Sequence, residues 1–257
     1  MGLRNTRAVV SRTMRMSNSS KLVTLITEKH GLVKVVARGA RRPTSKFGAA
    51  LEPVTLIDCI YYYKDNRELQ TISSTDLIDD YAGLKDDLIR LTTASAILEM
   101  TQRFTPEGDT AAGTFGLLTA SLKSLEKARQ HDVEKHLWRF VLRLLTTAGY
   151  RPVLDKCIRC GNDIRGSHVF FSYADGGVVC SCTGNEGLYG FKVSAGALRM
   201  MQSLGTALDK DLPSLKMVQS QKREVEQAVL QFLAYQTGSS RLPRSLVFLK
   251  NLEHTRQ

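Results

Sequence analysis

No apolar run in the 257-residue chain reaches the roughly 18 residues of a transmembrane helix. Phosphate-binding loops are missing as well: neither G-x-x-x-x-G-K-[ST] nor G-x-G-x-x-G occurs, which argues against a nucleotide-driven motor or a dinucleotide enzyme. The nucleophile elbow G-x-S-x-G and the zinc signatures H-E-x-x-H and H-x-E are absent too, and the five histidines accompany no visible nucleophile. We therefore expect no enzyme. Aromatic residues make up 7% of the chain, and Phe47 is the only Phe, Tyr or Trp among residues 1–50. Base stacking, the usual mainstay of single-strand binding, is thin there. The five cysteines are an odd number. With no apolar core in the first fifteen residues, no secretory signal is expected, and a reducing, cytoplasmic setting is. A glycosylation sequon at Asn18 is set aside on the same ground, and a loose myristoylation-like start (residues 1–6) because it runs straight into a strand-like stretch.

Acid is also scarce where base is abundant. Residues 1–50 hold eleven Lys and Arg and a single acid, Glu28. The next thirty are net acidic at −5, and the whole chain carries +11. Charge so concentrated favours a polyanion partner over mere solubility. Within that segment, Lys21, Lys34, Arg38, Arg41, Arg42, Lys46 and Phe47 form the candidate nucleic-acid site. Four of the cations, with Thr44, Ser45 and glycine amides, crowd one loop between strands and could line a phosphate track. The acidic pairs Asp79-Asp80 and Asp86-Asp87 stand near helix starts, where they complement the dipole.

Five short β-branched runs near 9–14, 21–27, 32–38, 54–63 and 68–73 predict a small barrel. From about residue 79 the apolar period changes to three and four, predicting helices up to Pro106, around 115–125, and from an Asp132 N-cap to a Gly149 terminus. Two more are expected near 194–208 and 218–237. Between them lies Cys157-x-x-Cys160-Gly161, then nineteen residues, then Cys180-x-Cys182. Vicinal thiols at this separation suit a four-cysteine structural zinc site. Residues two apart on an extended strand stand about 6.7 Å apart, too far for one ion, so the second pair needs a turn, and His168 is a spare ligand. A reduced metal-free loop and a dithiol switch are the alternatives. Cys59, among bulky strand residues, reads as a buried small hydrophobe.

Residues 20–53, together with 145–152, 154–161 and 176–180, resemble the RecO family of bacterial DNA repair and recombination mediators. The resemblance implies an α+β chain: an N-terminal five-stranded OB-fold barrel followed by an all-α helical domain with a zinc-finger-like insert. The corresponding boundaries are 1–78 for the barrel, 79–154 and 188–240 for the helical domain, 155–187 for the insert and 241–257 for a flexible tail. It further implies a non-enzymatic protein of the bacterial cytoplasm, associated with the nucleoid during repair. Such a protein binds single- and double-stranded DNA and anneals complementary strands without ATP. With RecR it helps load RecA onto strands coated by single-stranded DNA-binding protein (SSB), whose acidic C-terminal tail it recognises through the helical domain. Arg38, Arg41, Arg42 and Lys46 match the family's basic block. The Cys180-x-Cys182 pair departs from the family's Cys-x-x-Cys, which leaves metal occupancy open. From the residues alone, a barrel and zinc ribbon that binds structured RNA is the alternative. A nuclease built on the acidic pairs is a third reading.

Overall fold

The computed structural model describes residues 2–108, 112–180, 189–239 and 241–255. It divides into two compact units, one of Met1–Lys127 with Phe248–Gln257 and one of Ala128–Val247.

The first unit is built on a closed five-stranded barrel in the order β1-β2-β3-β5-β4, the arrangement of an OB-fold. Its strands are β1 (Gly2–Arg15), β2 (Lys21–Thr27), β3 (Gly31–Ala37), β4 (Thr55–Tyr63) and β5 (Leu69–Asp79). Strand β1 pairs with β4 through its first half and with β2 through its second, with an irregularity between Val10 and Arg12 that bends it from one partner to the other. The sequence pattern marks only residues 9–14 as strand. Residues 2–7 are mostly polar and exposed, and it is the edge of β4 that recruits their backbone. Closure comes from a short parallel ladder, Lys34–Val36 of β3 against Leu69–Thr71 of β5. Val10, Val23, Leu25, Val35, Ile57, Cys59, Tyr61 and Ile72 fill the interior. Cys59 is buried as expected, and that burial pushes its thiol up to about 12.

The periodicity after residue 79 is not one helix. Asp87 adopts extended backbone and accepts the Arg90 amide at 2.8 Å. This starts a fresh helix, α2 (Leu88–Phe104), after the single turn α1 (Ala82–Lys85). Helix α3 (Ala112–Glu126) follows. The acidic pairs serve turns and ion pairs: Asp79 accepts the Tyr81 amide and pairs with Lys123, and Asp80 accepts the Ala82 amide.

The second unit is organised by α4 (Val133–Thr147). It ends in the hydrogen-bond pattern of a left-handed C-terminus, Gly149 N–H to Thr146 and Tyr150 N–H to Leu145, with Gly149 at φ +86°. At its start Asp132 makes no side-chain cap. Its carboxylate is buried and ion-paired to Lys135 at 2.5 Å. Helices α5 (Ala195–Thr206) and α6 (Gln219–Thr237) lie where the periodicity places them. The cysteine-rich insert forms a three-stranded antiparallel sheet, β7-β6-β8, from β6 (His168–Ser172), β7 (Gly177–Val179) and β8 (Gly190–Ser194). Strand β8 carries this module past the expected boundary at 187 and runs into α5, which Ser194 caps. The expected flexible tail is corrected as well: α7 (Arg244–Thr255) is helical, with Leu246 and Leu249 buried. Apolar residues three apart on one helical face outweigh the polar composition. No helix among the described residues is long and apolar enough to cross a membrane.

Candidate nucleic-acid interface and metal site

Three connections of the barrel meet around a cleft of about 720 Å³. The β1–β2 turn contributes Met16, Ser17, Ser19 and Ser20. The loop after β3 contributes Arg38, Gly39 and Arg42, and the β4–β5 turn contributes Arg67. Val36, Leu69 and Thr71 form the floor. The floor is thus the junction of β3 and β5, and the β1–β2 and β4–β5 turns at its rim are the two loops with which OB-folds hold oligonucleotides. The loop keeps its shape through successive turns, Ala40 to Ala37, Arg42 to Gly39 and Ser45 to Arg42.

The seven residues singled out from the sequence divide sharply. Arg38 and Arg42 line the cleft, are exposed, and have no carboxylate partner among the described residues. Arg41 is tied to the fold: its Nη1 donates to the carbonyls of Ser17 and Asn18 at 2.9 and 3.0 Å, and its amide to Ser19. That staples the basic loop to the β1–β2 turn. Lys21 pairs with Glu52 at 2.7 Å. Lys34 lies between Glu107 and Glu68, at 3.0 and 3.1 Å, and hydrogen bonds to both hold its ammonium above the usual lysine range. Lys46 is exposed beside the Phe47 ring. Phe47 itself is a correction. Only 4% of it is exposed, and it packs in the barrel interior with Ala50 and Leu51, so its faces are not available to a base. A large apolar ring at the end of a polar loop anchors that loop more readily than it projects from it.

Arg67 was not among the sequence candidates. It lies 25 residues beyond Arg42 in a net-acidic stretch, and only the β3–β5 ladder brings its turn to the cleft. Its signal was there to read: Lys64 and Arg67 stand in the β4–β5 turn of a barrel whose turns form the ligand face, and Arg67 is the one that lines the cleft.

In the second unit, Cys157, Cys160 and Cys180 place their sulfurs within 4.8 Å of one another. Cys160 and Cys180 are 3.5 Å apart. Tetrahedral zinc with bonds of about 2.3 Å sets its thiolates about 3.8 Å apart, so these residues fit such an ion. The turn between the first pair is a tight knuckle. Gly161 donates to the Cys157 carbonyl at 2.8 Å with φ +74°, a conformation that glycine adopts without strain. Burial acts to raise the Cys157 thiol, but hydrogen bonds from the amides of Cys180, Cys160 and Arg159 and from the Cys160 thiol outweigh it and bring the group down to about 6. A thiolate is thereby favoured, as metal ligation requires. Cys182 lies outside the described residues. His168, the spare ligand, is exposed on β6 beside Ser167 and is not part of the thiol cluster.

Comparison with known proteins covers both units. A family model described as "Recombination protein O N terminal" matches residues 1–81, and one described as "Recombination protein O C terminal" matches 85–245. A curated protein from Symbiobacterium thermophilum named DNA repair protein RecO is 31% identical over 261 aligned residues, covering 100% of both chains. One of the same name from Streptomyces avermitilis is 37% identical over 186 residues, 70% of this chain and 74% of its own. A third, from Salinibacter ruber, is 31% identical over 250 residues, 96% of this chain and 94% of its own.

Proposed function

The chain belongs to the recombination protein O family, and from that premise we propose that it is a DNA repair and recombination mediator that binds single- and double-stranded DNA on its barrel and anneals complementary strands without ATP. One observation carries the reading. Arg38, Arg42 and Arg67 converge on the OB-fold cleft without a carboxylate among the described residues to neutralise them, whereas Arg7, Lys21 and Lys34 on the same barrel are each paired. Fixed cations without counter-charges are what a phosphate backbone replaces solvent ions with. Three serines at the rim supply further donors to phosphate oxygens.

Annealing follows from the electrostatics. Two single strands repel each other. A surface that partly neutralises both raises their local concentration and lowers the barrier to pairing, provided that its contacts go to phosphates and leave base edges free. No bond is made or broken, so no catalytic group is called for. In the cell this protein would act in the cytoplasm, on nucleoid DNA under repair. There it would work with RecR to load RecA onto SSB-coated strands, meeting the SSB tail through its helical domain.

Cys157, Cys160 and Cys180 would hold a structural zinc ion, with Cys182 the sequence candidate for the fourth position. Bound there, zinc would cross-link the knuckle to the end of β7 in place of packing that so small a sheet cannot provide. Chelation should lower the unfolding temperature of the wild type, and Cys157→Ser should copy that loss without any further effect of chelator. Equal stability with and without chelator would remove the metal from this account.

The test of function is a fluorescence-transfer annealing assay on SSB-coated complementary strands without ATP. Acceleration that fades between 50 and 200 mM salt is expected, because about five phosphate contacts imply a roughly hundredfold loss of single-strand affinity over that range. A folded protein that gives no acceleration, with or without RecR, would overturn the reading.

A further inference from the structure

The floor of the cleft does not stop at β5. Outward-facing residues of neighbouring strands stand in register across the barrel: Val36 of β3 opposite Thr71 of β5, Thr71 opposite Tyr62 of β4, and Tyr62 opposite Leu3 of β1. Val36 and Thr71 line the cleft. Tyr62 is 38% exposed and Leu3 64% exposed. With strands about 4.8 Å apart, Tyr62 stands one strand spacing beyond the cleft floor. The tyrosines on either side of it are otherwise engaged. Tyr61 is fully buried in the barrel, and the Arg4 guanidinium lies 3.3 Å from the centre of the Tyr63 ring. Tyr62 alone of the three presents a free face, beside the cleft of Arg38, Arg42 and Arg67.

We propose that Tyr62 is a base-stacking subsite: an unpaired nucleobase of a strand whose phosphates lie against Arg38, Arg42 and Arg67 stacks on its ring, flanked by Leu3. The proposal rests on the nucleic-acid reading of the cleft and adds a preference to it. Every base has a π-face, so stacking here is indifferent to sequence. The bases of a duplex are already stacked on one another and cannot use the site. Tyr62 therefore biases a charge-driven surface toward single strands. An exposed strand tyrosine can also serve only to pack across the ladder against its neighbour, here Leu3. Leucine at position 62 separates the two roles, since it retains an apolar cross-strand contact and has no π-face.

The experiment compares the full-length wild type with Tyr62→Leu, Tyr62→Phe and Arg42→Glu. Each is titrated with an oligothymidine, an abasic oligomer of equal length and a duplex at one fixed salt concentration. Tyr62→Leu should lose at least about fivefold on oligothymidine, the contribution of one stacked base, and less than about twofold on the abasic strand and the duplex. Tyr62→Phe should bind like the wild type. Arg42→Glu should weaken all three. An equal loss by Tyr62→Leu on the abasic strand, or no loss on oligothymidine, overturns the subsite while the arginine result leaves the cleft standing. If Arg42→Glu changes nothing, the cleft reading falls, and the subsite with it.

Discussion

Lys135 and Arg139 on α4 and Arg38 and Arg42 on the barrel loop are the same kinds of residue in opposite surroundings. The α4 cations are nearly buried, with Lys135 6% exposed. Lys135 donates to the carbonyls of Leu212 and Leu215 and pairs with buried Asp132. Arg139 pairs with Asp209, and Arg143 donates to the carbonyls of Gly205 and Ala207. They fasten the segment after α5, which includes the 3-10 turn Asp209–Ser214, to the helix. The loop cations face solvent without a carboxylate partner among the described residues. A basic side chain therefore reports a binding surface only when nothing in the fold already answers its charge. By that criterion Arg7, Lys21, Lys34 and Arg41 drop out of the excess of the first fifty residues, and Arg38 and Arg42 are the members that line the cleft.

The sharpest way to break the contrast is to remove a partner from the buried set. Lys135→Met leaves the Asp132 carboxylate buried without its cation and should cost about 3–5 kcal/mol in denaturant unfolding. DNA affinity of the folded fraction should not change. Adding Asp132→Leu should recover much of the stability. A mild Lys135→Met phenotype, or one confined to DNA binding, would dissolve the distinction.

The converse variant touches the loop. Arg38→Glu with Arg42→Glu should leave the unfolding midpoint within about 0.5 kcal/mol of wild type. It should flatten the plot of log affinity against log salt by about two phosphate contacts. An unchanged slope would mean that phosphates do not sit there.

A smaller effect lies in pH. Burial, reinforced by Arg139, holds His136 down to about 4 despite the nearby carboxylates of Asp209 and Asp132. The unfolded chain takes up this proton near pH 6.5 and the folded chain only near 4. Stability should thus be flat above about pH 6.5 and fall across the interval down to about 4. His136→Gln should flatten that part of the profile, while the loop variants keep it. A wild-type profile without a slope there would place His136 in a wetter environment than the structure shows.

The smallest change should come from Glu68→Gln with Glu107→Gln, which frees Lys34. Exposed ion pairs contribute at most about 1 kcal/mol, so stability should barely move. Single-strand affinity should rise a few-fold with a slope steeper by about 0.7. No change in the slope would show that Lys34 lies off the path of the strand.

Much of the fold was legible. Short β-branched, apolar runs marked β2, β3 and β4, and one side of each strand faces the closed interior. Leu137, Val141, Leu144 and Leu145 marked α4. The first half of β1 was not legible, because its side chains carry no apolar pattern and only its backbone is recruited. Asp132 looked like a cap because caps and buried ion pairs use the same residue. For the site, composition found the loop but could not rank its members. Lys21 and Lys34 meet carboxylates from residues 31, 34 and 73 positions away. Arg41 turned inward to carbonyls and Phe47 into the interior, while Arg67 came to the cleft from another turn.

Local chemistry determined the strands, the main helices, the cysteine knuckle and the sign of the charge, because each depends on neighbours a few residues apart. Which cations stay free, which tyrosine keeps an open face and which thiols converge were decided only by the tertiary structure. Each of these depends on partners from distant segments, which barrel closure and sheet pairing bring within a few ångströms.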